Sequence, residues 1–267
     1  MSDARRTACT CLTGRLGPEL GAPLTPIPPS LETIQAAPAA GCRASVYLTL
    51  DTGTMRHAEQ IAAILDRQSV KATFCLANET TMRGDAALDD SWAPFWRSRV
   101  AEGHAFGSHT WRHGRFAGDL VAPDGAVRYR PQVGENAGET LKLEAQGICA
   151  EIERVNQRFR SITGRSLDPW WRAPGGVVTP NTLRAGQACG WTHVGWAPAG
   201  FLGDELPSEQ TSNEALVKRA LARVRDGDIL MAHLGIRSRR DPFAPALEPL
   251  IAGLKARGFC FATLPRQ

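Results

Sequence analysis

The sequence has no run of about 20 apolar residues, which is the length that a helix needs to cross a bilayer, so no membrane-spanning helix is predicted. It also has no run of basic residues. The formal net charge of +4 comes from scattered Lys and Arg, which gives no indication of nucleic-acid binding. Arg5 and Arg6 are not followed by a clean apolar segment of about 7–15 residues. Either the protein is not exported, or an export signal is lost or misassigned at the start.

Cysteine is too scarce for a disulfide scaffold, with seven residues in a chain of 267. Four cysteines lie in apolar segments and are predicted to be buried thiols: Cys75, Cys149, Cys189 and Cys260. Cys9, Cys11 and Cys42 lie in an irregular leader, and Cys9 and Cys11 are too close together for a usual zinc knuckle. A disulfide from Cys42 to Cys9 or Cys11 is an open alternative, but an unstructured tail is the preferred interpretation.

An apolar fraction of 43% and a charged fraction of 22% are typical of a globular protein with a buried core. Residues 1–43 are rich in Pro, Gly, Ala and Thr, and they are predicted to form an irregular tail or a strap over the domain. Residues 44–267 are predicted to form a single α/β domain, a length that α/β barrels commonly fill.

Apolar, β-branched runs alternate with segments of helical periodicity about seven times along this domain. Strands are predicted at residues 45–50, 71–77, 104–108, 169–174, 192–196, 228–233 and 259–264. Helices are predicted at residues 55–67, 91–102, 141–162, 181–189, 213–224 and 242–256, with Asn213 as a cap. Such alternation indicates parallel strands with helical crossovers. No glycine-rich dinucleotide fingerprint follows the first strand, which favours a barrel over an open doubly wound sheet. The polar, glycine-rich residues 114–138 are predicted to be a functional or mobile loop.

Two histidines, His109 and His113, stand four residues apart after the third predicted strand. On a helical turn this spacing points both imidazoles the same way, close enough to share one ion. Neutral histidine is also the commonest metal ligand near pH 7. The pair alone is a weak signal, because an ordinary surface turn can carry two histidines.

Polar residues also stand at the carboxyl ends of other predicted strands, where barrels gather their chemistry. Asp51 and Thr52 end the first strand, Arg172 the fourth and His233 the sixth. Taken singly, each has an ordinary structural explanation: a turn residue, an ion-pair partner or a satisfied core histidine. Their convergence on one edge indicates a single site. The remaining histidines, His57, His104 and His193, are interpreted as structural.

These residues carry a resemblance to a known family. Residues 49–53 (TLDTG), 108–113 (SHTWRH), 171–176 (WRAPGG) and 230–233 (LMAH) resemble, in order, four motifs of the polysaccharide deacetylases with a NodB homology domain, carbohydrate esterase family 4. The resemblance covers residues 45–264. It implies a distorted (β/α)7 barrel and suggests a periplasmic or exported location.

The resemblance also implies an activity, the metal-dependent removal of N-acetyl groups from a polysaccharide or amino-sugar glycan. His109 and His113 would hold a divalent ion. Zinc is the usual ion for such ligands, and cobalt and nickel are also accepted. Asp51 would act as the base, Arg172 would keep it ionised, and His233 would protonate the departing amine.

Three residues near these motifs are candidates for contacting a sugar: Trp171, Pro174 and Trp196. Aromatic rings can stack on sugar rings, although tryptophans in such positions more often belong to the core.

The sequence departs from the family pattern in three places. Thr52 stands where a second aspartate normally provides the third metal ligand, so metal affinity should fall unless another group or water takes its place. Gly175 stands where an aromatic residue is usual. No acid follows the fifth predicted strand before Asp204, which only a loop bend would bring to the site. Two alternatives therefore stay open: an esterase acting on O-acetyl groups of a glycan, or a catalytically impaired glycan-binding barrel.

Overall fold

The computed structural model describes residues 26–121 and 124–265. Ten strands and six α-helices form in the described chain: β1 Ala44–Asp51, α1 Ala58–Arg67, β2 Thr73–Leu76, α2 Ala93–Ala101, β3 Ala105–Ser108, β4 Arg115–Asp119, β5 Val127–Arg130, β6 Leu141–Leu143, α3 Ala145–Thr163, β7 Trp170–Trp171, α4 Pro180–Ala188, β8 Thr192–His193, α5 Asn213–Arg223, β9 Ile229–His233, α6 Leu247–Ala256 and β10 Phe259–Phe261. None of the helices in these two ranges is long and apolar enough to cross a membrane.

Seven parallel strands form the central sheet. β1 pairs with β2, β9 and β10, and the order continues from β2 through β3 and β7 to β8. The seam between β8 and β9 is bridged by irregular segments, in which Leu31 pairs with Val194 and Phe201 pairs with Met231. The result is the distorted α/β barrel that the sequence predicts.

Burial explains why these segments form strands and helices. All eight residues of β1 are buried, as expected for a strand that lies between parallel neighbours and under helices. The longest helix, α3, buries one stripe that includes Ile148, Ile152, Val155 and Phe159, which are spaced at three or four residues. It ends at Gly164, whose φ of 79° is the left-handed conformation that glycine adopts without steric cost.

The insertion after the histidine pair differs from the predicted loop. Strands β4, β5 and β6 form a separate antiparallel sheet within residues 114–143. Its central strand buries Val127 and Tyr129 and exposes Arg128 and Arg130, a period of two that spans only four residues. Because residues 141–143 belong to β6, α3 begins at Ala145 and not at the predicted residue 141.

Two helix starts also differ from the prediction. The cap of α5 is Ser212, one residue before the predicted Asn213, and its hydroxyl accepts a hydrogen bond from the backbone N–H of Ala215. Helix α6 begins at Leu247 because residues 244–246 form a tighter 3₁₀ turn.

The prediction of buried free thiols is correct for Cys75 and wrong for three other cysteines. Disulfides join Cys42 to Cys260 and Cys149 to Cys189. The first links the segment before β1 to β10, which pairs with β1, and the second links α3 to the end of α4. Sequence separations of 218 and 40 residues hide both contacts, because only the fold brings the partners together. Cys9 and Cys11 lie outside the described residues.

The described part of the N-terminal segment runs along the seam of the barrel. The Ser30 hydroxyl lies 2.7 Å from Nδ1 of His193, and backbone hydrogen bonds join Leu31 to β8 and Ile34 to the turn before β9. Because β8 and β9 do not pair with each other, residues 30–34 form hydrogen bonds with both sides of this seam. Residues 1–25 of the predicted tail lie outside the described part of the chain.

Candidate active site

The carboxyl edge of the barrel brings the predicted site residues together. Parallel register places Asp51 of β1 level with His233 of β9, and His109 directly follows β3. Arg172 follows β7, which pairs with β3. Side chains from four strands therefore meet at one edge, as parallel topology requires.

Gly53 permits the close approach of the two strand ends. Its φ is 52°, and a side-chain carbon placed there would lie 2.3 Å from the carbonyl oxygen of Gly235 and 3.5 Å from Cβ of His233. Any other residue would push the β1 turn away from the β9 turn. Glycine at position 53 is therefore required for the two turns to lie this close together.

Asp51 and Arg172 form a buried ion pair. The Arg172 Nη1 donates to Asp51 Oδ1 at 2.8 Å, and the two residues are 0% and 2% exposed, respectively. The other guanidinium donors bond the carbonyl oxygens of Val194 and Gly195. Burial alone would raise the pKa of Asp51, but the adjacent Arg172 charge, helped by His109 and His233, holds the pKa below its usual value. Asp51 is therefore a carboxylate at neutral pH.

His109 has a fixed tautomer. Its Nδ1 lies 3.1 Å from the carbonyl oxygen of Arg172, which can only accept, so Nδ1 carries the proton. The lone pair is then on Nε2, which lies 3.6 Å from Asp51 Oδ2. Burial lowers the pKa of His109 to about 4, and this outweighs the opposing effect of Asp51. The ring is thus neutral, with Nε2 available as a ligand.

The histidine pair does not lie on a helical turn, and that detail of the prediction is wrong. The chain leaves β3 in a turn in which Thr110 and His113 have φ values of 64° and 47°. Glu151 of α3 holds this turn through the backbone N–H and the guanidinium of Arg112. The rings of His109 and His113 still meet edge to face, with centroids 4.8 Å apart.

Glu79 is a site residue that the sequence interpretation missed. Its Oε2 accepts hydrogen bonds from the Thr52 hydroxyl at 2.7 Å and from the Gly53 N–H at 2.9 Å. Its Oε1 lies 3.7 Å from Nδ1 of His113. Glu79 follows the end of β2, so its signal was the same as that of the recognised residues: a polar side chain after a predicted strand.

His233 and Asp204 form the second charged pair. Asp204 accepts hydrogen bonds from the His233 backbone N–H at 2.7 Å and from Nδ1 at 3.1 Å. Burial disfavours the imidazolium, but the Asp204 carboxylate outweighs it and raises the pKa of His233 to about 9. The loop that carries Asp204 bends back along β9 through backbone hydrogen bonds to Ile229 and Met231. This bend brings Asp204 to the site, as expected if Asp204 replaces the acid that is missing after the fifth predicted strand.

The three predicted sugar-contacting residues occupy different environments. Trp196 is partly exposed, and its ring lies 5.5 Å from the guanidinium carbon of Arg172. Pro174 is buried, and Trp171 is 0% exposed because it packs against Phe116 and His193. The position of Trp196 is compatible with sugar contact, whereas the burial of Trp171 does not support the role predicted for it.

The other buried histidine next to the site makes structural contacts. His193 Nε2 accepts a hydrogen bond from the Ala173 N–H, and burial lowers its pKa to about 3. His104 likewise accepts from the Ala72 N–H. Among residues 26–121 and 124–265, no group of three or more His, Cys, Asp or Glu side chains is arranged so that it could hold a metal ion.

A model of the polysaccharide deacetylase family matches residues 39–194, which is more than half of the chain. The chain belongs to the polysaccharide deacetylase family. Among its relatives, the chitooligosaccharide deacetylase of Sinorhizobium fredii is 28% identical over 248 residues, covering 89% of this chain and 98% of that protein. The peptidoglycan-N-acetylmuramic acid deacetylase PdaA of Bacillus subtilis is 23% identical over 82% of this chain and 70% of that protein.

Solved structures share the fold of this chain. The peptidoglycan N-acetylglucosamine deacetylase Bc1960 superposes with a TM-score of 0.61 at 21% identity, covering 83% of this chain and 86% of that one. BA3943 of Bacillus anthracis, a pseudoenzyme of carbohydrate esterase family 4, superposes with a TM-score of 0.60 at 18% identity, covering 83% of this chain and 64% of that one. The fold thus occurs in an active enzyme and in a pseudoenzyme, so activity has to be argued from the site.

Proposed function

We propose that this chain is a metal-dependent hydrolase that removes N-acetyl groups from a polysaccharide or amino-sugar glycan. The observation that carries the proposal is the pairing of charges: Asp51 is kept ionised by Arg172, and His233 is kept protonated by Asp204. A base and an acid with pKa values pushed apart, on one edge of a barrel, are what amide hydrolysis needs. The glycan substrate class is inferred from the chitooligosaccharide and peptidoglycan deacetylases among the relatives.

The donor types at the site suit a divalent ion such as zinc, cobalt or nickel. His109 presents a neutral Nε2 whose tautomer is fixed by the Arg172 carbonyl, and His113 lies beside it. In the proposed site, both would be ligands. A bound ion supplies Lewis acidity toward the acetamide carbonyl and the attacking water.

The proton transfers belong to the chain's own side chains. Asp51 removes a proton from the attacking water while the water oxygen adds to the carbonyl carbon. Arg172 keeps that carboxylate oriented through the 2.8 Å bond to Oδ1, which leaves Oδ2 as the accepting atom. As the carbon–nitrogen bond breaks, protonated His233 gives a proton to the departing amine. Its Nδ1 is held by Asp204, so Nε2 is the donating atom. The products are acetate and a free amino sugar.

Acetate release tests the proposal. The purified protein, incubated with zinc or cobalt, should release acetate from N-acetylated chitooligosaccharides or peptidoglycan fragments, and a chelator should stop the reaction. D51N should lower the rate about 10²–10⁴-fold, since general base catalysis contributes that much. D66N, an exposed aspartate on α1, is the matched control and should leave the rate unchanged.

The outcomes separate the alternatives. Acetate release from O-acetylated glycans alone would identify an esterase. Glycan binding without acetate release from any substrate, with either metal present, would refute both enzymatic interpretations and identify an impaired barrel.

A further inference from the structure

We propose that Glu79 provides the third protein ligand of the metal, from the end of β2, in place of the carboxylate that Thr52 lacks. The inference rests on the proposed metal-dependent function and extends it to a residue of this chain. It resolves the departure at Thr52 without relying on water alone to complete the site.

The position of Glu79 follows from the strand order. β2 lies between β1, which leads to Thr52, and β3, which leads to the histidine pair. A side chain that emerges after β2 therefore lies between the first motif and the histidines. Glutamate also has one methylene group more than aspartate, which extends its reach from this neighbouring strand.

Hydrogen bonds aim one carboxylate oxygen at the histidines. Oε2 of Glu79 takes both the Thr52 hydroxyl and the Gly53 N–H. The other oxygen, Oε1, faces His113. The side chain of Glu79 is 16% exposed and that of His113 is 18% exposed. The Thr52 hydroxyl is engaged in two hydrogen bonds, since it donates to Glu79 and accepts from the Ala77 N–H at 3.2 Å. Thr52 thus acts as a support that orients the carboxylate and not as a ligand.

One pair of donor atoms lies near the separation that a shared ion would impose, and rotation of the side chains is needed to bring all three donors together, because no three such side chains in the described residues are arranged to hold an ion. Two ligand atoms on a tetrahedral zinc, each about 2.1 Å from the metal, stand roughly 3.4 Å apart. Glu79 Oε1 lies 3.7 Å from His113 Nδ1, a separation that a small side-chain rotation would close. Two imidazoles and one carboxylate would give the usual donor set of a catalytic zinc site, with a position left for water.

The competing explanation is that Glu79 only fastens the turn after β1. E79Q separates the two roles, because glutamine keeps an amide oxygen for Thr52 and Gly53 while it removes the charge and one acceptor oxygen. The matched control is E139Q, an exposed glutamate in the insertion. A third variant, E79Q/T52D, returns an aspartate to position 52.

The measurement is the dissociation constant for Zn²⁺ alone, obtained by calorimetric titration of metal-free full-length protein. E79Q should bind Zn²⁺ more than ~100-fold more weakly than the wild type, because the loss of a ligand should exceed the about 10–100-fold that an outer-shell partner contributes. E139Q should match the wild type, and E79Q/T52D should recover most of the loss. Thermal melts of the metal-free proteins should agree within a few degrees.

Two results would overturn the assignment of Glu79. The first is an equal Zn²⁺ affinity in E79Q and wild type. The second is a loss of Zn²⁺ affinity in E79Q that T52D does not recover and that comes with a lowered melting temperature. If the wild type itself binds no Zn²⁺ or Co²⁺, the metal-dependent function fails as well. The failure of Glu79 as a ligand is thus distinguishable from the failure of the proposed function.

Discussion

The Asp204–His233 pair should make the stability of the protein depend on pH. The perturbation is D204N, which replaces the carboxylate that holds His233 with a neutral amide of similar shape. Asparagine can still accept a hydrogen bond from the backbone N–H of His233, a bond that is 2.7 Å long in the wild type. The variant therefore removes the charge while leaving the turn largely supported.

The magnitude follows from the pKa of His233, which rises from 6.5 to about 9 on folding. This rise in the pKa corresponds to about 3 kcal/mol. Because the folded-state pKa is raised, this stabilisation is fully present below pH 6.5 and is lost as the pH rises through about 9. At pH 6, D204N should therefore unfold with a free energy lower by up to about 3 kcal/mol. The difference between D204N and wild type should shrink toward pH 10.

Two measurements on chelator-treated protein check this reasoning. Urea unfolding at several pH values from 6 to 10 gives the free energies, and NMR titration of the His233 ring gives the pKa directly. H233Q is the control, because it removes the titrating ring and should show no comparable loss between pH 6.5 and 9. A pKa of His233 near 9 in D204N would refute the claim that Asp204 raises it.

Two further predictions concern stability. R172M should lower the free energy of unfolding by about 3–5 kcal/mol in urea titrations, because Asp51 would be left buried without its cation, and R172M/D51N should recover part of that loss. If R172M were as stable as the wild type, the ion pair would not hold Asp51 in place. C149S/C189S should lower the free energy of unfolding by about 2–4 kcal/mol, since the disulfide closes a loop between residues 40 apart. If neither this variant nor the reduced wild type changed its urea unfolding transition, the result would contradict the disulfide.

Much of the barrel is predictable because its signals are local. β-branched runs and helical periodicity mark most of the strands and helices of the central sheet within a few residues. Parallel topology then requires Asp51, His109, Arg172 and His233 to share one edge. The antiparallel insertion is not predictable in the same way, because its strands are three to five residues long and glycine-rich turns separate them.

Contacts between distant segments account for the remaining differences. The disulfide between Cys42 and Cys260 depends on the pairing of β10 with β1, which no sequence spacing reveals. The turn that carries His113 depends on Glu151, 38 residues away, and on backbone conformations outside the helical region. Glu79 was overlooked because the family pattern directs attention to position 52, and only the fold brings the two side chains within hydrogen-bonding distance.

The departures from the family pattern affect different parts of the proposed mechanism unequally. Replacing a ligand aspartate by Thr52 changes how an ion is held, but it leaves the Asp51–Arg172 and His233–Asp204 pairs intact. These pairs push the two pKa values in opposite directions, so the dominant form at neutral pH has an ionised base and a protonated acid. A barrel that only binds glycans has no need of an ionised base and a protonated acid at one edge. Their presence therefore favours catalysis over binding alone.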